Sequence, residues 1–247
     1  MSDASNRRLL LAVDTANERC SVAVADLTDG TILASANPSI GKGHAERLMD
    51  LVAEVLAEAD AGYGDVAKLA IGIGPGSFTG IRVAVAVARG WELALDIPSV
   101  GVDTLEAQAE PHARDGAVLA VHDARRSEVY VALHAVGGAR LAGPEAMAVD
   151  DLPAFCARQG VEPADLRLVG SGSALAAERL PGARLVPDAG ETSAPIASIV
   201  RLALARAPGA PPLPLYLRGA DAKVQVPLGL RAASHRSEPG AGLDIAG

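Results

Sequence analysis

Aromatic side chains are scarce in this chain: two Phe, three Tyr and one Trp among 247 residues. Proteins that grip RNA stack its bases on such rings and meet its phosphates with lysine and arginine. Neither is present in quantity. Lys and Arg number 22 against 30 Asp and Glu, giving a net charge of −8, and no basic run or stripe interrupts the acidic balance. The composition argues against a chain that binds nucleic acid by itself. Cysteine is nearly absent too. Cys20 and Cys156 fit no metal spacing and read as free thiols in a reducing compartment. No apolar run approaches the roughly 20 residues that cross a bilayer, and the polar start, Met1 to Arg8, lacks a signal-peptide core. A soluble, cytoplasmic protein without membrane contact is expected. Several catalytic signatures are missing as well: no Gly-x-x-x-x-Gly-Lys-Ser/Thr loop, no His-Glu-x-x-His and no Gly-x-Ser-x-Gly elbow occurs.

What the chain does have is apolar residues, 49% of the total, enough to core one large domain or two ordinary ones. The stretch that organises them is Gly72-Ile73-Gly74-Pro75-Gly76-Ser77-Phe78-Thr79-Gly80-Ile81-Arg82. It reads as the end of a buried strand, a rigid turn and the start of a helix running to Leu95. The glycines admit backbone angles closed to other residues, and Ser77 or Thr79 can cap the first free amides. Those amides are an anion site in principle. The helix is apolar nearly all round, its only charges being Arg82, Arg89 and Glu92, so it is either core or covered on a second face by another chain.

The remaining pattern is repetitive. Leu9–Asp14 is an apolar strand ending in a carboxylate, followed by a polar turn, a strand over 20–26, and a hairpin at Asp29-Gly30 into Thr31–Ser35. A helix from His44 to Ala59 carries Leu48, Leu51, Val52, Val55 and Leu56 in one stripe. Ala117–Asp123 repeats the opening, strand then acid then turn, with Glu128–Ala135 as its hairpin partner. Helices are expected near 104–110, 151–158 and 193–206, and from Ser171 or Ser173 onward, with a strand over 166–170. Pro208 to Pro214 reads as a linker, and the residues after Arg218 as an extended or disordered tail. The two similar halves imply a duplicated architecture.

These residues carry a resemblance. Ala12-Val13-Asp14-Thr15-Ala16, the Gly74–Arg82 string, Gly101-Val102-Asp103-Thr104-Leu105, Asp123-Ala124-Arg125-Arg126-Ser127-Glu128-Val129-Tyr130 and Tyr216-Leu217-Arg218 resemble the TsaB family. This family comprises bacterial partner proteins in threonylcarbamoyladenosine synthesis on transfer RNA. The resemblance implies an α/β fold of actin/Hsp70-like (ASKHA) type with two βββαβα lobes, the second degenerate. On that plan residues 1–104 form the first lobe, 105–218 a smaller one and 219–247 the tail. It implies a non-catalytic subunit that dimerises with and activates TsaD, assisted by the ATPase TsaE. Transfer RNA is then met only through the complex, with ATP or ADP and metal supplied at partner subunits and none bound by this chain alone. The alternative is a stand-alone ATP-dependent phosphotransferase or ATPase of the same fold.

The residues bear on that choice. The TsaD pattern of two histidines one helical turn apart is broken here, since His44 is followed by Leu48 at i+4. The turns where phosphate contact is conceivable contain Asp14, Thr15, Gly74, Gly76, Ser77 and Thr79. Asp14 reads more simply as a strand-end residue capping its turn. The surface expected to meet the partner comprises Leu48, Val52 and Val55 on the first helix with Arg82, Val83, Val87 and Trp91 on the second. It would make half of a four-helix bundle that TsaD completes, or a second copy when TsaD is absent.

Overall fold

The structure is a computed structural model, and it describes residues 7–218. The expected tail over 219–247 lies outside the described residues. Among the described residues, ten strands form two five-stranded sheets in one compact unit that runs to Leu217.

The first sheet takes β1 (Leu9–Asp14), β2 (Ser21–Asp26), β3 (Ile32–Ala36), β4 (Val66–Gly72) and β5 (Ser99–Val102) in the order β3-β2-β1-β4-β5. β1 pairs antiparallel with β2 and parallel with β4. Its residues are buried on both faces, which is why Leu-Leu-Leu-Ala-Val reads as a continuous apolar run rather than an alternation. Leu9, Leu11 and Val13 face α1 (His44–Glu58) and α2 (Phe78–Leu95) in one core; Leu10 and Ala12 face a second core on the other side.

The second sheet repeats the plan. β6 (Ala117–Asp123), β7 (Glu128–His134), β8 (Arg140–Ala148), β9 (Leu166–Val169) and β10 (Arg184–Leu185) lie in the order β10-β9-β6-β7-β8, with β6–β7 antiparallel and β6–β9 parallel. Two sheets of identical order and strand sense are the duplicated, actin-like arrangement expected from the sequence. The second copy is the reduced one: β10 has two residues, and its helices α4 (Leu152–Arg158) and α5 (Ser173–Arg179) are seven residues each.

One helix, the last, lies where sequence order does not place it. α3 (Thr104–Ala109) packs on β6 and β7, whereas α6 (Ile196–Leu204) comes late in the chain yet covers β1, β2, β4 and β5. α6 is shorter than the 193–206 expected because Pro195 sets its start. It is fastened by Lys68 on β4, whose Nζ donates to the carbonyls of Ala203 at 2.6 Å and Arg206 at 2.7 Å. The Pro-rich stretch after it is no free linker. Arg206 donates to the Gly101 carbonyl, Pro212 is buried against Gly101, and the Leu215 amide donates to Ile73 O.

Candidate functional site

Each sheet presents a turn at the end of its first strand, and both turns are held by the carboxylate that precedes them. Asp14 Oδ1 accepts the Ala16 amide at 2.9 Å, and Asp123 Oδ1 accepts the Arg125 amide at 2.7 Å. This is the local turn that a short acid makes with the backbone two residues on. In the first turn the closure goes further. Thr15 Oγ1 donates to Gly80 O at 2.7 Å, and the Ser77 amide donates to Ala16 O at 2.6 Å. A Cβ at Gly76 would overlap the Ala16 carbonyl, and one at Gly80 the Thr15 carbonyl. Those glycines are required by close backbone approach. Gly74 has a further reason, a φ of +94°.

Three of the amides that could meet a phosphate are committed. Ala16 N goes to Asp14, Ser77 N to Ala16, and Gly80 N to the Ser77 hydroxyl that caps α2 at 3.2 Å. Asp14 and Thr15 are fully buried. Burial pushes the Asp14 carboxyl up to about 6, partly opposed by the Ala16 N–H. Of the residues proposed for phosphate contact, Ser77 and Gly76 line the cleft between the two turns, Thr79 is exposed on the first turn of α2, and Gly74 is buried with its carbonyl accepting Thr104 N.

That cleft has a volume of about 510 Å³. It is lined from one side by Asn17 and Ser77 and from the other by His122, Asp123, Arg125 and Tyr130. Arg125, Arg126 and Ser127 all take positive φ, 66°, 56° and 59°, an arrangement side chains resist. The turn holds them there through Ala124 N to Glu128 O, Glu128 N to Arg125 O and Val149 N to Ser127 O. His44 stands away from any ligand set. Its Nε2 lies 3.3 Å from the Arg19 carbonyl, and no group of three or more His, Cys, Asp or Glu among the described residues is arranged to hold a metal ion.

The expected partner surface needs correction. Leu48, Val52 and Val55 are buried in this chain's own core, their stripe turned onto the sheet. They are not available to another molecule. Trp91 is 8% exposed and packs tilted against Tyr63 with ring centroids 6.2 Å apart. Of the expected residues Arg82, Val83 and Val87 do reach the surface: the outward face of α2 has half-buried Val83 and Val87 with exposed Ala86, Gly90, Leu93 and Ala94, flanked by exposed Arg82 and Arg89. Leu93 is 89% exposed, the most of any large apolar side chain described. Beside it α1 shows Ala45, Met49 and Ala53. Arg82 is exposed over the Phe78 ring at 3.6 Å and donates to the Tyr216 hydroxyl at 2.8 Å. The sequence signal for the exposed face of α1 was the alternation of buried large residues with exposed Ala and Glu.

Comparison with known proteins bears on this site. Residues 36–181 match the TsaD family, described as tRNA N6-adenosine threonylcarbamoyltransferase. The chain is similar to the tRNA threonylcarbamoyladenosine biosynthesis protein TsaB of Escherichia coli K12, 41% identical over 124 residues, 49% of this chain and 52% of that one. It spans about half the length of the TsaB relatives it matches. An uncharacterized protein of Mycobacterium bovis is 34% identical over 215 residues, 87% of this chain and 93% of its own length. A crystal structure from Pseudomonas aeruginosa, of a protein with similarity to the peptidase YeaZ, superposes with a TM-score of 0.69. It is 31% identical and covers 85% of this chain and 100% of that one.

Proposed function

We propose, from the premise that this chain belongs to the TsaD family as a TsaB-type member, that it is a non-catalytic subunit of the machinery that makes threonylcarbamoyladenosine on transfer RNA. Its task is to dock on a TsaD-type catalytic subunit and hold it in an active form, with TsaE as the associated ATPase. The group transferred goes to the adenosine beside the anticodon of transfer RNAs reading codons that begin with A. Nucleotide and metal are supplied at the partner subunits.

The observation that carries this reading is the outward face of α2. Val83, Ala86, Val87, Gly90, Leu93 and Ala94 make a charge-free strip on the surface of an acidic chain. Small side chains there permit a partner helix to approach closely, and Leu93 and Met49 supply apolar area to bury. The bonds already made by the amides of Ala16, Ser77 and Gly80 weigh against the alternative, an independent ATPase, because those three donors are not free for phosphate oxygens.

The test is reconstitution. TsaD, TsaE, ATP, threonylcarbamoyl adenylate and transfer RNA are assayed with this chain, without it, and with Val87→Asp. Modification should need the chain and fail with the variant, which should no longer co-purify with TsaD while keeping the circular dichroism of the parent. Turnover by this chain alone, or a Val87→Asp complex as tight as the parent, would overturn the reading.

A further inference from the structure

Each sheet keeps its own apolar cores, and among the described residues α3 is the one helix that lends side chains to both sets. Its Ala107 belongs to the core of Val102, Ile199 and Val200 on the first sheet. Its Leu105 and Ala109 belong to the core of Val118 and Ala132 on the second. Two stretches of chain join the halves here: Asp103 between β5 and α3, and the residues from β10 to α6. Separately cored halves with a cleft of about 510 Å³ between their turns have the form of a hinged clamp.

The acidic side of α3 is tied to both halves at once. Glu106 Oε2 accepts from Arg140 Nη2 of β8 at 3.2 Å, and its Oε1 accepts from Nη2 of Arg206, just past α6. Arg140 also donates to Asp103 at 2.7 Å, and Arg206 to the Gly101 carbonyl of β5 at 2.9 Å. One turn on, Glu110 accepts two bonds from Arg201 of α6, at 2.8 and 2.6 Å, and one from the Ser198 hydroxyl at 2.9 Å. Buried Gln108 donates to the carbonyls of Glu191 and Thr192, in the second joining stretch, at 3.1 Å each. Isolated surface ion pairs are worth little, but bidentate and shared ones are the exception. The side chains of Glu106 and Glu110 are each 20% exposed, so solvent screens them only in part. Burial works against the Glu110 charge, yet the bonds from Arg201 and Ser198 outweigh it and hold that carboxyl below its usual range.

We infer that Glu106, shared between Arg140 of one half and Arg206 of the other, is a strap that locks the halves against hinge motion and keeps the cleft at one width. Glu110 with Arg201 reinforces it from the next turn of the chain. The inference is independent of the partner-subunit reading and stands or falls separately.

Spin labels on Lys42→Cys and Ala174→Cys test it in the full chain by double electron–electron resonance. Both positions are exposed, Lys42 beside Gly41 on one wall of the cleft and Ala174 just past Ser171 on the other. The native Cys20 and Cys156 are buried. The parent should give one narrow distribution of distances. Glu106→Ala, a change that a helix accepts, should widen it roughly twofold or more with the circular dichroism unchanged. Arg206→Met should widen it likewise, and serves if the first variant does not fold. Arg47→Met, which breaks the Arg47–Glu54 pair inside α1, should leave the width as it is. A parent distribution already broad, a strap variant as narrow as the parent, or an equal widening by Arg47→Met would overturn the assignment.

Discussion

A carboxylate with no water around it is a burden to the folded state unless its neighbours compensate, and Asp14 has one backbone N–H for the purpose. Its proton is held more tightly in the native state than in the unfolded chain, where it leaves near 3.8. The stabilisation that goes with that proton is complete below pH 3.8 and is lost as pH rises through about 6. Asp14→Asn keeps an oxygen to accept from Ala16 and removes the charge. It should flatten the pH dependence of stability between pH 4 and 7 and raise stability at pH 8 by up to about 3 kcal/mol. Urea unfolding at several pH values measures this, and threonylcarbamoyladenosine formation in the reconstituted system should survive. At Gly80 the expected effect is opposite. Gly80→Ala drives a methyl group into the Thr15 carbonyl and should cost at least about 2 kcal/mol, read as a lowered midpoint. The sequence pointed to both residues for a reason the structure refines: the acid holds its own turn, and the glycines admit a neighbouring backbone.

At the scale of elements, α1 and α2 show where local pattern is sufficient and where it stops. Apolar spacing marked both helices and a stripe on α1, with α2 apolar nearly all round, yet Leu48, Val52 and Val55, expected to meet a partner, are the ones consumed by the sheet. A partner is left with the small residues between them. Leu93→Glu, on a side chain 89% exposed, should therefore change the stability of the isolated chain by less than about 0.5 kcal/mol while weakening association with TsaD, measured by calorimetric titration. Leu48→Glu should instead unfold the lobe. β8 went unread because Arg140–Ala148 breaks at Gly143-Pro144 and lacks β-branched residues. It exists by pairing with β7, a tertiary reason that no local window contains.

For the molecule as a whole, duplication was legible because strand, acid, turn and return strand occur twice in order. The return of α6 to the first sheet was not. Nothing in Ile196–Leu204 says which sheet it will cover; the choice is made by Leu10, Ala12, Ala23 and Val102, which offer an apolar face without a helix of their own. Lys68→Met tests how firmly that choice is held. It leaves two carbonyls at the end of α6 without their donor and should cost about 1–3 kcal/mol, with hydrogen exchange in α6 quickening before exchange in β6 or β7.

A ribosome making this chain finishes all five strands of the first sheet, the last ending at Val102, long before it reaches Ile196, where the helix that roofs one side of it begins. Through that interval the face bearing Leu10, Ala12, Ala23 and Val102 is without its cover. Residues 1–104 produced alone should precipitate, and adding a synthetic peptide of residues 193–207 should bring them into solution.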